Sequence, residues 1–562
     1  MAASRRERPR MDLVYFVALV GVLIFVHELG HFAWAKFFGV KVLTFSLGFG
    51  PRLLGFRIGE TEYVFAALPI GGYVKMLGES PYDVVTEAER DRSFDGQPVW
   101  RRAIIAFAGP MMNLVLPVVL FFVVSLNETV ADPPVIGTVF PDQPADGLLL
   151  AGDRFRSIDG EVVETFEDVT RIVGQHPDEP LRLEVERGGE TVRVTLVPAR
   201  ARRMRELERV DEVGRIGVIP HHPIGVIGVV SASSVAAASG LRTFDRVVSA
   251  RGRPIDRFRD LEGVLDTRSL VPVTFLRPVR LTGALGGLVE MELYEPHVAT
   301  LAPTSGRGDG LLRAGIESAD LYVSSVRVGS PLHRLGLLPG DRVVTLDGRP
   351  VRLWAAFVLD LQSTPGAEHT LVYRRGTELH QVVFTSPVDG SALEGRARLE
   401  NEVLGVRNWM PMRVDPPVPI PRPTLHALRA AWEKTGEMIS LTVYSVVRLV
   451  EGRLAADSIG GPLTIFDVAG GAAREGLLTY LSLMAFVSVN LGLINLLPIP
   501  LLDGGHLFFF LLEAVTRRPV SSRVRERAAL VGFLLLFLLM LLALKNDVER
   551  RWPDLRDRLE DR

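Results

Sequence analysis

The sequence H-E-L-G-H at residues 27–31 lies inside an apolar run, residues 13–38, that is long enough to cross a membrane as a helix. His27 and His31 project from nearly the same face of such a helix, one turn apart. At this spacing two imidazole nitrogens can bind one metal ion, and Glu28 can act as a base on a water molecule there. The competing interpretation is a set of polar residues that satisfy one another at a helix contact. Because ionisable groups are costly in lipid, the pattern favours a metal centre, which still needs a third ligand.

The composition restricts both the class of protein and the metal ligands. At 562 residues the chain is too long for one core, so we expect several domains. Hydrophobic residues make up 47% of the chain and charged residues 23%, a mixture typical of membrane spans joined to a sizeable soluble part. There is no cysteine, so a transition metal must be held by His, Asp or Glu. The formal net charge of -2 gives no reason to expect a nucleic-acid partner.

Three further apolar stretches are predicted spans, at residues 103–126, 477–502 and 528–544. The sequence G-P-M-M-N at residues 109–113 fits either a packing kink or a part of the active-site lining. The third span ends in D-G-G-H, residues 503–506. Asp503, next to glycines that permit a bent backbone, is the best candidate for the missing ligand, and His506 is a weaker rival.

Four spans place both termini and the long segment 127–476 on one side of the membrane. Both shorter connections are rich in Lys and Arg, so the positive-inside rule makes them cytoplasmic and the long segment extracytoplasmic. The arginine-rich prefix, residues 5–10, opposes this orientation, and Met1 and Met11 are both plausible starts.

The soluble segment contains a threefold repeat, in which Asp153, Asp245 and Asp341 each precede Arg, and a Gly follows seven positions after the Asp. The second copy is divergent, since it lacks the Gly before Asp245 and has Arg251 where Asp is expected. We expect six parts: a membrane part at 1–126; repeat copies at 127–210, 211–305 and 306–413; a linker with an amphipathic helix at 414–476; and a second membrane part at 477–562. The helix, residues 424–454, is predicted at the membrane surface, with packing against the soluble block as the alternative. His221 and His222 are interpreted as a solvated loop.

The repeat resembles the PDZ fold of bacterial proteases, which binds peptides as an extra strand along a sheet edge. The alternative is that the copies are spacers or steric gates. Residues 39–102 combine Gly and Pro with short apolar stretches and are predicted to form strands and turns beside the membrane.

The paired motifs at residues 27–32 and 495–506 resemble those of the site-2 proteases, the intramembrane zinc metalloproteases. Further matches lie at residues 45–50, 70–76, 108–113 and 461–465. The resemblance implies a polytopic α-helical membrane protein of about four spans, with a membrane-associated β-hairpin and periplasmic PDZ-like α/β domains. It also implies Zn²⁺ held by His27, His31 and Asp503, with Glu28 as the catalytic base. Residues that would contact substrate or the oxyanion are Asn495, Gly48, Gly50 and Tyr73.

The same resemblance implies a multi-pass protein of the bacterial inner membrane that cuts membrane-embedded proteins. The favoured substrate is an anti-sigma factor that has already been cleaved once outside the cytoplasm. Remnant signal peptides are the alternative substrate, and a non-catalytic PDZ scaffold is the alternative of a different class. Similar proteases usually carry two tandem PDZ domains, whereas three copies are counted here.

Overall fold

The computed structural model describes residues 4–79, 83–204, 210–267, 269–279, 293–302, 309–364, 366–386, 405–453 and 460–560. Met1, Leu454 and the predicted boundary between residues 305 and 306 lie outside this set. The chain divides into two units, Met1–Thr129 with Ile420–Arg562, and Val130–Pro419. The two ends of the chain therefore fold together, and residues 130–419 separate them in the sequence.

Seven helices are described in the first unit. In chain order they are α1 (Ser4–Phe37), α2 (Val99–Ser125), α3 (Pro423–Val450), α4 (Pro462–Glu475), α5 (Leu477–Asn495), α6 (Asp503–Thr516) and α7 (Ser522–Glu560). A short 3-10 helix, Glu87–Arg92, precedes α2. Four segments in the described part of the chain are long and apolar enough to cross a membrane: Met11–Phe37, Val99–Ser125, Leu477–Asn495 and Arg523–Arg551. They correspond to the four stretches predicted from hydropathy.

The strands β1 (Val42–Ile58) and β2 (Thr61–Met76) connect α1 to α2. Each is bent into two arms. Residues 44–47 pair on one side with 72–75 and on the other with 62–65, while residues 52–58 pair with 61–66. The bend in β1 needs Gly48 and Gly50, whose φ angles of 96° and 90° are accessible mainly to glycine. Among the described residues, the arm at 72–76 has a partner on one side only, so it forms an edge of this sheet.

The helix after the linker packs within the first unit. Helix α3 contacts α2 and α5 there, and its expected place at the membrane surface stays a prediction. Its Thr442 donates a hydrogen bond to Asn490 of α5 at 2.8 Å, and Lys434 donates to Ser125 of α2 at 3.2 Å. Small or short side chains, among them Ala427 and Ala431, are fully buried in this contact. The charged residues of α3 are spread along the helix, from Arg429 to Arg448 in its last turn.

The second unit contains three four-stranded sheets with the same strand order, each with its own apolar core. The central strands are Arg154–Ile158 and Leu181–Arg187 in the first copy, Arg246–Ala250 and Val271–Val279 in the second, and Arg342–Leu346 and Glu368–Arg375 in the third. The short and long edge strands are Glu161–Val162 and Glu190–Leu196, Arg253–Pro254 and Leu293–Leu301, and Arg349–Pro350 and Glu378–Thr385. Each copy has a helix after its first hairpin, at Phe166–Gln175, Asp260–Leu265 and Trp354–Ser363. Shorter helices lie at Val235–Ala238, Gly310–Ala314 and Pro331–Arg334.

Strand pairing moves two of the predicted boundaries. Val218–Ile219 pairs with Thr138–Val139, so residues after 210 complete the first copy. Ile316–Ser318 pairs with Ile227–Val229 and completes the second copy beyond its predicted end. Sequence patterns indicated where each copy begins, but the closing strand is too short to carry a pattern of its own.

The divergent second copy keeps the backbone of the other two. Arg251 adopts a φ of 52°, close to the 48° and 51° of Asp159 and Asp347, so all three hairpins turn over two residues with positive φ. Phe244, with a φ of 76°, replaces the glycine that precedes Asp in the other copies. A bulky residue in this region is strained, and Phe244 is held there by packing against Trp409.

The interpretation of His222 as solvated is wrong. His222 is buried, lies in a short strand that pairs with Met412–Arg413, and has its Nε2 3.3 Å from Asp415. Asp415 also accepts hydrogen bonds from Arg257. His221, by contrast, is exposed.

Candidate metal centre

Helix α1 carries two of the three candidate ligands, and the start of α6 carries the third. The Nε2 atoms of His27 and His31 lie 3.3 Å apart. The carboxylate of Asp503 lies 3.1 Å from Nε2 of His27 and 3.5 Å from Nε2 of His31. Residues far apart in sequence therefore bring three donor atoms together inside the first unit, and they form one group whose ligand atoms all lie within 4.8 Å of one another.

This arrangement fits zinc. Ligand atoms about 2.0–2.1 Å from a tetrahedral zinc ion are about 3.3 Å from one another, which is the spacing of the three donors here. Two imidazoles and one carboxylate are a donor set typical of catalytic zinc sites, which keep a fourth position for water. Both histidines are 9% exposed, so the ligands lie in a largely enclosed place.

Glycines on α1 and α2 allow these two helices to approach each other closely. A Cβ on Gly30 of α1 would lie 2.3 Å from the carbonyl oxygen of Ala108 in α2, and a Cβ on Gly109 would lie 2.2 Å from Nε2 of His31. Real side chains do not reach such distances. Gly109 therefore makes room for the ligand nitrogen itself, a role that the sequence left open between kink and site lining.

The other ring nitrogen of each histidine faces α2. Nδ1 of His31 lies 2.8 Å from the carbonyl oxygen of Ile105, and Nδ1 of His27 lies 3.2 Å from the side-chain amide of Asn113. Contacts of this kind fix the orientation of metal-binding imidazoles. Asn113 lies in the motif at residues 108–113, but its contact with His27 is visible only in the structure.

The loop that delivers Asp503 is tightly packed, which corrects the expected role of its glycines. Gly504 and Gly505 are helical, and a Cβ on either would lie within 2.5 Å of a carbonyl oxygen in the preceding loop. The strained residue is Leu501, with a φ of 97°. Gly532 of α7 packs against the same loop, because its Cβ would meet the carbonyl oxygen of Pro500 at 2.0 Å. His506, one turn beyond Asp503, is exposed and does not join the group of described ligands.

Glu28 lies beside the edge arm of the sheet. It is 9% exposed, and a Cβ on Gly72 would come within 3.0 Å of its Cγ. Gly72 lies in the motif at residues 70–76, and the motif alone predicts no role for it. The pattern alone could not show that a glycine is needed where the strand passes the carboxylate side chain.

The remaining candidate residues from the sequence are Tyr73, Gly48, Gly50 and Asn495. Tyr73 is 41% exposed, and its ring stacks on the ring of Phe49. Phe49 is the residue between Gly48 and Gly50, the two glycines at the bend of β1. A Cβ on Gly48 would meet the carbonyl oxygen of Leu68, so this glycine shapes the sheet. Asn495 is the last residue of α5 and is half-buried, and its side chain makes no hydrogen bond to any described residue.

Comparison with known proteins identifies the family. The model of peptidase family M50 matches residues 15–539. This chain belongs to peptidase family M50. The resemblance to site-2 proteases that the motifs indicated is thereby confirmed.

Relatives match over nearly their whole length. The chain is 30% identical over 546 residues to the regulator of sigma-E protease RseP of Escherichia coli and 31% identical over 553 residues to the protease RseP of Yersinia pestis; each match covers 96% of this chain and 98% of the relative. It is 29% identical over 543 residues to the "putative zinc metalloprotease" of Neisseria meningitidis, covering 96% of this chain and 99% of that protein. Among solved structures, the PDZ domain of an SdrC-like protein from Listeria monocytogenes matches 16% of this chain and 85% of its own, at 17% identity and a TM-score of 0.13. This last likeness carries no argument about the fold.

Proposed function

We propose that this protein is an intramembrane zinc metalloprotease of the site-2 type. The convergence of His27, His31 and Asp503 in a unit built from four candidate spans is the observation that carries the proposal. Membership of peptidase family M50 supports the reaction class, and the zinc metalloprotease names of relatives support the metal.

The roles of the chain's own residues follow from their positions. Zinc held by the three ligands would supply Lewis acidity for the attack of water on a peptide carbonyl. Glu28, next to the ligands in sequence, would take the proton of the attacking water on its carboxylate and pass it to the leaving amide nitrogen. Asn495 is our candidate for a hydrogen bond to the oxyanion, supported only by its place before the ligand loop.

A helical substrate hides its peptide carbonyls in its own hydrogen bonds and must be unwound before attack. We propose that the edge arm of the sheet, residues 72–76, receives the unwound segment as an added strand. The free side of this arm and its position beside Glu28 support the proposal. Gly48 and Gly50 would shape the sheet, and Tyr73 would contact substrate side chains.

For the substrate, we propose a membrane-anchored anti-sigma factor in a second, intramembrane cleavage. The sigma-E name of the Escherichia coli relative supports this choice over remnant signal peptides. The positive charge of the two short connections supports an inner-membrane location with the threefold block in the periplasm. The three copies would be PDZ-like domains, and the binding of peptide by each is part of the same proposal.

The experiment uses the full-length protein in lipid vesicles with a single-span substrate. Glu28→Gln is expected to abolish cleavage while the bound zinc stays stoichiometric, because the base is lost and the ligands are kept. Cleavage by Glu28→Gln at the rate of the unsubstituted protein would contradict the proposed mechanism. Cells carrying either form then report the substrate: anti-sigma factor levels that do not differ would contradict the proposed substrate, and accumulated signal peptides would favour the alternative.

A further inference from the structure

Asn113 of α2 has an unsatisfied side chain beside a candidate metal ligand. The residue is fully buried, and its Nδ2 lies 3.2 Å from Nδ1 of His27. Its Oδ1 is buried and has no hydrogen-bond partner in the structure. Buried polar atoms are rarely left in this state, so the orphan oxygen requires an explanation.

The chemistry of a metal-binding imidazole supplies one. The Nε2 atom of His27 faces His31 and Asp503, so a metal would bind there. The ring then carries its proton on Nδ1 and donates a hydrogen bond from that atom. The Asn113 amide, in the orientation described, presents its Nδ2 donor to this donor. A half-turn of the amide exchanges its oxygen and nitrogen and places the orphan oxygen where Nδ1–H needs an acceptor.

The other ligand shows the same arrangement already complete. Nδ1 of His31 faces the carbonyl oxygen of Ile105, an acceptor that cannot turn. Ile105, Gly109 and Asn113 follow one another at intervals of four residues and therefore lie on one face of α2. One helix face thus offers an acceptor to each histidine, with the space for the His31 ring between them.

The backbone of Asn113 is also held by a hydrogen bond from α5. The hydroxyl of Ser488 in α5, fully buried, donates a hydrogen bond of 2.7 Å to the carbonyl oxygen of Asn113. Helix α5 is the helix that leads into the loop of Asp503. The backbone that carries the Asn113 amide is therefore fixed by the same element that delivers the third ligand.

We propose that Asn113 is a positioning residue for the metal centre, whose amide oxygen accepts the Nδ1–H of His27 and orients its Nε2 toward the metal. The inference rests on the proposed zinc site and deepens it. In the metal-bound protein it predicts a hydrogen bond that Nδ1–H of His27 donates to the amide oxygen of Asn113.

The test compares Asn113→Leu, which keeps the size but has no acceptor, with Asn113→Asp, which keeps an acceptor. Asn490→Leu is the matched control, because this amide on α5 bonds to Thr442 and not to a ligand. Zinc dissociation constants are measured in the full-length protein by competition with a chelator, and the absorption of the cobalt-substituted protein reports ligand geometry. Asn113→Leu is expected to weaken zinc binding about 10- to 100-fold and to change the cobalt spectrum. Asn113→Asp and Asn490→Leu are expected to have a zinc dissociation constant and a cobalt spectrum close to those of the unsubstituted protein.

Unchanged zinc affinity in Asn113→Leu would overturn the inference. Equal losses in Asn113→Leu and Asn113→Asp would also overturn it, because a role in packing alone does not distinguish the two. A failure of the unsubstituted protein to bind zinc would overturn both the proposed function and this inference. Zinc binding by the unsubstituted protein, with the same affinity in Asn113→Leu, would overturn this inference alone.

Discussion

A Cβ on Gly72 would lie 3.0 Å from Cγ of Glu28, so the edge strand passes directly beside the candidate base. The same Cβ would lie 2.9 Å from the carbonyl oxygen of Ser46 in the neighbouring arm. The strand is thus in close contact both with the neighbouring strand of its own sheet and with α1, the helix that carries Glu28. This contact links the place where we propose that substrate adds as a strand to the group that we propose takes the proton.

Gly72→Ala is expected to lower kcat/KM about 10- to 100-fold, because a displacement of the strand by even an ångström moves the bound peptide relative to Glu28. Zinc content is expected to stay stoichiometric, since no ligand is touched. Gly21→Ala in α1, where a Cβ meets nothing within 4 Å, is the control. Activity of Gly72→Ala equal to that of the control would contradict the role of this arm.

Gly109→Ala is expected to weaken zinc binding at least about tenfold, because the new methyl group would occupy the position of the His31 ring. The dissociation constant for zinc is the measurement. Gly436→Ala in α3, with open space around its Cβ, should leave it unchanged. If Gly109→Ala binds zinc as the control does, the close contact between α2 and the ligand is not a feature of the protein in solution.

The sequence was informative where a pattern repeats or where chemistry is unusual for its surroundings. His27, His31 and Asp503 could be selected because charged or ligating groups in apolar runs are rare. The seven-residue spacing from Asp to Gly predicted the three copies. Contacts such as that of Asn113 with His27 could not be predicted, because they depend on how helices distant in sequence pack.

The same limit applies to α3 and to the glycines after Asp503. The contacts of α3 with α2 and α5 include small buried residues such as Ala431, which have no amphipathic signal of their own. The glycines after Asp503 suggested flexibility, but they serve close packing, and the unusual backbone angle falls on Leu501 instead. A glycine in a sequence does not reveal whether it provides backbone flexibility or allows close packing.

The Asp of each repeat copy is paired with an Arg from a strand far along the chain and not with its own neighbour. Asp341, 2% exposed at its side chain, is bonded through both oxygens to Arg375 at 2.8 and 2.7 Å. The first and second copies have the same pair, Asp153 with Arg187 and Asp245 with Arg277. The pairs tie the turn at the start of each sheet to its central hairpin.

Arg375→Leu is expected to destabilise the third copy by about 2–3 kcal/mol, because a buried carboxylate loses its partner; partial exposure of Arg375 keeps the figure below that of a fully buried pair. Hydrogen exchange of the strand Glu368–Arg375 is the measurement. Arg193→Leu, which breaks an exposed pair with Glu184, should change exchange in its own strand little. Equal changes in hydrogen exchange for the two substitutions would show that the buried ion pair contributes no more to stability than the exposed one.

Helix α7 is fastened to α4 by a carboxylate cap. Asp547 accepts hydrogen bonds from the backbone N–H groups of Gly461 and Leu463, both at 2.9 Å, and from the hydroxyl of Thr464. Asp547→Ala is expected to cost about 1–2 kcal/mol and to lower the thermal unfolding temperature by a few degrees. Asp467→Ala, which removes an exposed pair with Arg551 between the same helices, is the control. A Tm equal to that of the control would show that the cap does not hold the two helices together.

The assembly of one metal centre from both ends of the chain is the central claim. Zinc content and intramembrane cleavage, measured together on Asp503→Asn in the full-length protein, test it most directly. Because we propose Asp503 as the third ligand, we expect both to fall together, with zinc well below one ion per chain and cleavage lost in proportion. Stoichiometric zinc and undiminished cleavage in Asp503→Asn would contradict the account.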